Sequence, residues 1–289
     1  MKVRLLTCAR GPLCAVVFAL PVPFLVAVLL SVGTAQDKQP DKPDEKAELA
    51  EFLGDAKNYA IRTAKPDAAL KLHESPVLNF TNPERNQELG SVFVWLDADG
   101  RPAVMGQFFR FDNRGRRLKK HALHSLAPGA LEAKINDKLA WSPETPGVEW
   151  KSFPDAPAAA ATQKERLLQI RQLVRPFQLK LIDAKDKATE LRLIPRPLLE
   201  YSAPKAGVSD GAIFSYVVAT DPEAILLVEA FDEKGKTGFR YAFARFNFQK
   251  MAAKLGDKAV WEVEYDPVMS GNKIGNKEAM KHVYNSYYP

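Results

Sequence analysis

The chain holds only two cysteines, Cys8 and Cys14, and none follows position 14. Beyond the N-terminal segment this excludes a disulfide framework, a thiol nucleophile and a thiolate-held metal. Histidine is scarce too, at His73, His121, His124 and His282. A phosphate-cradling glycine loop, a dinucleotide fingerprint and a Gly-x-Ser-x-Gly nucleophile elbow are all read as absent. Charge is missing from one long stretch, between Arg10 and Asp37. Stability must therefore come from ordinary hydrophobic burial, and the roughly 250 residues after that stretch can supply one or two cores.

The uncharged stretch explains itself. Lys2, Arg4 and Arg10 precede an almost wholly apolar run, Leu13 to Val32, followed by Gly33, Thr34 and Ala35. A basic flank, an apolar run and small residues describe a secretory signal peptide over residues 1–35, with cleavage after Ala35. The run approaches the roughly 20 residues that span a bilayer, so an uncleaved inner-membrane anchor through residues 11–35 is the alternative. Pro21 and Pro23 weigh against that anchor, because each removes a helix hydrogen bond. The expectation is an exported protein, periplasmic or extracellular. Without Lys2, Arg4 and Arg10 the 41 basic residues become 38 against 35 acidic. That field is too weak to imply a nucleic-acid partner.

Residues 36–46, QDKQPDKPDEK, carry no apolar side chain and read as a disordered charged linker. A second break, the Ala/Pro linker at 154–163, separates two segments that repeat each other. Shifted by 121, Leu70, Leu72, Pro76, Leu78, Pro83, Gly90, Phe93 and Ala98 fall on identical residues. After a one-residue gap near Gly100 the shift is 120. Pro102, Phe111, Asp112, Gly115, Ala122, Ala133, Lys134, Asp137, Lys138 and Trp141 then match Pro222 through Trp261. Composition alone would give about 4 or 5 such identities. The pattern predicts two homologous β-rich units, 47–153 and 164–268, with a C-terminal tail at 269–289.

Each unit opens with an amphipathic helix, Ala47 to Ala56 or Lys164 to Val174. Period-2 segments follow, among them FQLKLID (177–183), ELRLIPRPLLEY (190–201) and the hairpin AIFSYVVA–TDP–AILLVEAF. The fold class expected is α+β, mainly antiparallel β. Each unit is one helix and a six- to seven-strand meander, and the two units pack pseudo-symmetrically. Asp112 to Gly115 and Asp232 to Gly235 read as type I turns ending on glycine, with Pro102 and Pro222 at the preceding turn. The tail, with Tyr284, Tyr287 and Tyr288, reads as a peripheral helix or a loose end.

Candidate site residues are few. Asp97-Ala-Asp99-Gly100 resembles a calcium loop, but glycine is fourth rather than sixth and Phe108 stands where the closing carboxylate belongs. His121 and His124 sit on a strand that points them to opposite faces. No catalytic, cofactor-binding or metal-binding residue is assigned, and no cofactor is expected. Glu229 alone interrupts an apolar strand. A hairpin closing at Asp232–Gly235 puts Arg240 opposite it, as a cross-strand ion pair or as a ligand-facing carboxylate. Arg245 is a further inward candidate. Arg116 and Arg117 lie in the basic run Arg114–Lys120, either as protection of a strand edge or as an anion-binding strip.

The segments ELRLIPRPLLEY, GAIFSYVVATDPEAILLVEAFD and WSPETPGVEW resemble a family of uncharacterised exported proteins of planctomycete bacteria. The likeness covers nearly the whole chain after the leader. It implies export and a two-unit architecture, but no activity. The leading expectation is a non-catalytic interaction or structural protein of the envelope, partnered by an acidic envelope polymer or another envelope protein. A small-molecule or glycan-binding protein with its site between the units is second. A hydrolase using Glu229 with Asp97 or Asp99 comes last.

Overall fold

A computed structural model describes residues 44–85, 88–233 and 236–289. The leader, the anchor alternative and most of the charged linker lie outside the described residues. In the first half helix α1 (Glu45–Lys57) precedes β1 (Tyr59–Ala64), β2 (Asp67–Ala69), β3 (Lys71–Leu72), β4 (Leu78–Asn82) and β5 (Glu88–Leu96). Then come β6 (Pro102–Asp112), β7 (Arg117–Ser125), β8 (Leu131–Ile135), β9 (Lys138–Trp141) and β10 (Lys151–Ser152). The second half opens with α2 (Gln163–Leu173), β11 (Phe177–Ile182), β12 (Ala188–Leu193), β13 (Leu199–Ala203) and β14 (Val208–Val218). It continues through β15 (Asp221–Glu233), β16 (Lys236–Arg245), β17 (Lys250–Leu255) and β18 (Lys258–Val263) to α3 (Val268–Gly271) and β19 (Tyr284–Tyr287). The chain is mostly antiparallel β.

Local chemistry accounts for both long helices. The Asp44 carboxylate accepts from the amides of Lys46 and Ala47, capping α1. Glu48, Phe52 and Ala56, spaced by four, form its buried stripe. Thr162 caps α2 by accepting from the Glu165 amide, and its hydroxyl donates to the Glu165 carboxylate.

The strands do not form a simple meander. β1 pairs with β8, and β11 with β17, so the first strand of each half meets a late one and the sheets curl. The first half runs β9-β8-β1-β2 and then β3-β5-β6-β7-β19, and β4 also pairs β5. The second runs β18-β17-β11-β12-β14-β15-β16-β10, with β13 on β14. ELRLIPRPLLEY is therefore two strands, broken where Pro195 and Pro197 remove ladder donors. Pro102 and Pro222 lie within strands β6 and β15, not in the turns. The β6–β7 turn has positive φ at both Arg114 and Gly115, which makes it type I′ and matches the twist of its strands better than the expected type I.

Two strands cross between halves. β10, on the segment leaving the first half, pairs with β16 of the second, and β19, at the end of the second, pairs with β7 of the first. The C-terminal tail is thus neither a peripheral helix nor a loose end. Tyr284 and Tyr287 are buried by it.

Four apolar clusters follow among the described residues, the smallest of them Ala122, Met269, Ala279 and Tyr284. One lies between α1 and its sheet, with Phe52, Trp95, Phe108, Trp141 and Tyr287. Another lies between α2 and its sheet, with Ile170, Phe177, Phe214, Tyr241 and Met251. The third joins the two sheets face to face, Val92, Val94 and Met105 meeting Ile213, Ile225 and Leu227. Central strands buried on both faces explain why the β14 and β15 segments read as continuous apolar runs rather than alternating ones.

Gly90 and Gly211 mark where an aromatic ring lies flat on a strand. A Cβ on Gly90 would collide with the Phe80 ring, and one on Gly211 with the Tyr201 ring, their cross-strand partners. Gly90→Ala is expected to lower the urea midpoint by the equivalent of about 1–3 kcal/mol. An unchanged midpoint would show that the ring moves aside freely.

Candidate functional site at the junction of the two sheets

Polar residues surround the apolar face between the sheets. Glu229 is fully buried. Arg101, on the β5–β6 turn, grips it with both ends of its guanidinium, Nε to Oε1 at 2.8 Å and Nη2 to Oε2 at 3.0 Å. Arg240, its register partner on β16, donates to Oε2 at 2.8 Å, and the Tyr201 hydroxyl donates to Oε1 at 2.9 Å. Trp150 lies against both guanidinium groups, 5.2 Å from Arg101 and 4.7 Å from Arg240. Every acceptor position is taken, as a buried carboxylate requires. Arg101 reaches Glu229 from a turn 128 residues away, so spacing along the sequence cannot reveal it.

A second cluster holds two carboxyl groups. Asp221 and Glu223 flank Pro222 and are buried. Asn82 and Gln107, both from the first half, donate to Asp221 at 3.1 and 2.8 Å. Arg85 and Asn247 donate to Glu223. Burial, and then the neighbouring Asp221, push the Glu223 carboxyl up to about 8, against the pull of Arg85 and Asn247. The fold holds this proton more tightly than the unfolded chain does. Its stabilisation is complete below the ordinary value of 4.5 and is lost as pH rises through about 8. Between 4.5 and 6.5 the depressed His121 and His124 offset this, because they bind fewer protons folded than unfolded, so the stability of the wild-type chain is expected to fall from 6.5 to about 8. In Glu223→Gln that slope should flatten, as read by thermal melts across the range, and a slope retained in the variant would assign it to another group.

Two of the histidines, His121 and His124, are buried in the framework. His121 and His124 face opposite sides of β7. His121 stacks on Phe108 at 4.1 Å, its Nδ1 lies 2.8 Å from the Tyr59 hydroxyl, and its Nε2 lies 3.3 Å from Asp55. Tyr59 in turn bonds the Tyr287 hydroxyl, so the row ties α1, β1 and β7 to β19. Burial holds the His121 pKa down although Asp55 opposes it. Burial also pulls His124 down to about 4, against its bond to the Ser125 carbonyl. The Asp–His–Tyr order resembles a proton relay, but His121 is fully enclosed.

The basic run is largely answered by α1. Arg117 donates to Glu48 at 2.7 Å, Arg110 to Glu51 at 2.7 Å, and Lys119 to Glu51 and Asp55 at 2.9 and 2.7 Å. Lys120 is buried on the Met269 and Ser270 carbonyls. Arg114 and Arg116 are exposed. Arg245 donates to the carbonyls of Asn247, Gln249 and Glu264, clamping a loop. The Asp97–Gly100 segment is a hairpin turn in which Asp97 accepts from the Asp99 and Arg101 amides.

Sequence reasoning missed one spacing, Gly207-Val208-Ser209-Asp210-Gly211, which fits Gly-x-Ser-x-Gly. A nucleophile elbow needs a strand-to-helix turn. Here the segment runs into strand β14, and the Asp210 carboxylate is held by Arg166.

No family model, curated protein or solved structure matches the chain. Among the described residues there is also no group of three or more potential metal ligands and no helix long and apolar enough to cross a membrane. One cavity of about 300 Å³ lies beside the β5–β6 turn, where Lys205 of the second half meets Lys65, Asp97 and Asp99 of the first.

Proposed function

We propose that the chain is an exported, non-catalytic interaction or structural protein of the cell envelope, built from one folding unit used twice and packed pseudo-symmetrically. The observation that carries this reading is how the reactive side chains are used. Glu229, Arg101, Arg240 and Arg245 direct hydrogen bonds into the framework, and the buried Glu229 carboxylate has both oxygens occupied by them.

Several local features support the duplication. The β8–β9 pair is irregular between Ala133 and Lys134, and the β17–β18 pair between Ala253 and Lys254, which are aligned positions. Gly90 under Phe80 aligns with Gly211 under Tyr201. Val92, Met105 and Leu126, on the shared face, align with Ile213, Ile225 and Phe246.

Export is tested by fractionating cells that make the full chain with a C-terminal tag. The tag is expected outside the cytoplasmic membrane on a product beginning at Gln36. A cytoplasmic product that retains Met1 contradicts the reading.

Exposed Arg114 and Arg116 support an acidic envelope polymer or another envelope protein as partner. An Arg114→Ala/Arg116→Ala chain is expected to leave a polyglutamate column at lower salt than the parent. Equal elution removes the strip from the account. A second reading, a small-molecule site between the halves, is favoured by the Lys65/Lys205 cavity alone. The face between the sheets is otherwise filled by apolar side chains.

A further inference from the structure

We propose that the second half binds a fatty carboxylate, a single alkyl chain with an anionic head, at the seam between β18 and β16. The two halves differ at one seam. In the first, the seam between β9 and β7 is closed by the C-terminal segment. β19 lies along β7, the Ser142 amide donates to the Met280 carbonyl at 2.7 Å, and the Trp141 indole donates to the His282 carbonyl at 2.8 Å. Trp141 is completely buried as a result.

In the second half the same seam receives only β10, two residues long. Beyond that, Lys151 Nζ spans it with a 2.8 Å bond to the Val260 carbonyl. Trp261, where Trp141 would be, remains partly exposed and stacks on Phe243 at 5.3 Å.

A cavity of about 330 Å³ lies in this seam, and one of about 350 Å³ between the 153–157 segment and α2 adjoins it, sharing Pro154 and Leu255 in its wall. The larger is walled mainly by Phe153, Leu173, Pro176 and Leu255, with Gln172 at its edge. The smaller has Tyr241 and Val260 on its floor and Lys151 and Lys258 beside them. Phe153, Tyr241 and Val260 also belong to the core inside the second sheet, so the cavities continue that core outward.

The chemistry of the walls selects the occupant. An alkyl chain suits the apolar wall, because burying methylene groups is the main favourable term. The head group is selected by charge: Lys258 is exposed at the smaller cavity and Lys151 is half-exposed there. Lys151 has one carboxylate near it, Glu149 at 3.7 Å, and Asp155 is the sole acid in either wall. A carboxylate meets two ammonium groups at this end, whereas a cationic head would be repelled by both. The inference does not depend on the interaction reading above.

The test is calorimetric titration of the chain from Gln36 onward, which contains the whole described unit, with dodecanoate below its micelle concentration. Saturable one-to-one binding is expected, weakening about fourfold for each methylene removed. Dodecyltrimethylammonium should bind at least tenfold more weakly. Gln172→Trp and Ala259→Trp, at exposed positions lining one cavity each, should each reduce affinity at least tenfold while the melting temperature holds. Absence of saturable binding, equal affinity for the two head groups, or wild-type binding by both tryptophan variants overturns the proposal.

Discussion

Replacing Glu229 with alanine is expected to destabilise the protein by about 3–5 kcal/mol, the range for removing one member of a buried ion pair. The loss comes less from the bonds removed than from the charges left behind. Arg101 and Arg240, both against Trp150, would be left close together with side chains only 15% and 21% exposed and no carboxylate between them. Glu229→Leu alone should do no better. Combined with Arg101→Met and Arg240→Met, it should recover most of the loss, since an apolar replacement of a whole buried network is often neutral. Urea unfolding of the three chains is the measurement. A shift under about 1 kcal/mol for Glu229→Ala would show that water reaches the site and screens it.

Deleting Val283 to Pro289 is expected to cost at least about 5 kcal/mol, a large share of the stability of an ordinary domain. The deletion removes the whole of β19 and uncovers β7 along His121 to His124. It takes buried Tyr284 and Tyr287 out of the core. Tyr59 and Asn272 also lose hydrogen-bond partners, Tyr287 and Asn285. The truncated chain should show reduced near-ultraviolet dichroism and should aggregate, as an exposed strand edge favours. Tyr287→Phe isolates one part of this effect. It removes a hydroxyl that bonds Tyr59, and a loss of about 1 kcal/mol is expected. Full stability in the deletion chain would show that β7 needs no neighbour.

What the residues reveal in advance divides by distance along the chain. Helix α1 was legible from its local spacing-by-four stripe, but its start was not: Asp44, read as part of the charged linker, caps a helix that begins at Glu45 rather than Ala47. The Glu229–Arg240 pair was legible because a hairpin turn sets the register of both strands. Arg101 was not, since nothing local records that a turn will reach across to the other sheet. The same holds for Asp221 and Glu223, whose burial depends on Asn82, Arg85 and Gln107 from the first half. YNSYY lacks an alternating apolar pattern and so reads as a tail. It becomes strand β19 because both its faces are covered, a property of the surroundings rather than of the segment. The basic run was legible as basic, but its neutralisation by Glu48, Glu51 and Asp55 appears only when α1 is laid across β6 and β7.

The central claim is that the halves complete each other through β10 and β19, and the most direct measurement is complementation of a divided chain. Residues 36–157 and 158–289 would be produced separately and then mixed, with folding followed by near-ultraviolet dichroism and urea unfolding. The account predicts no cooperative transition for either piece alone and a single transition, close to that of the intact chain, for the mixture. Cooperative unfolding by either piece in isolation would contradict it.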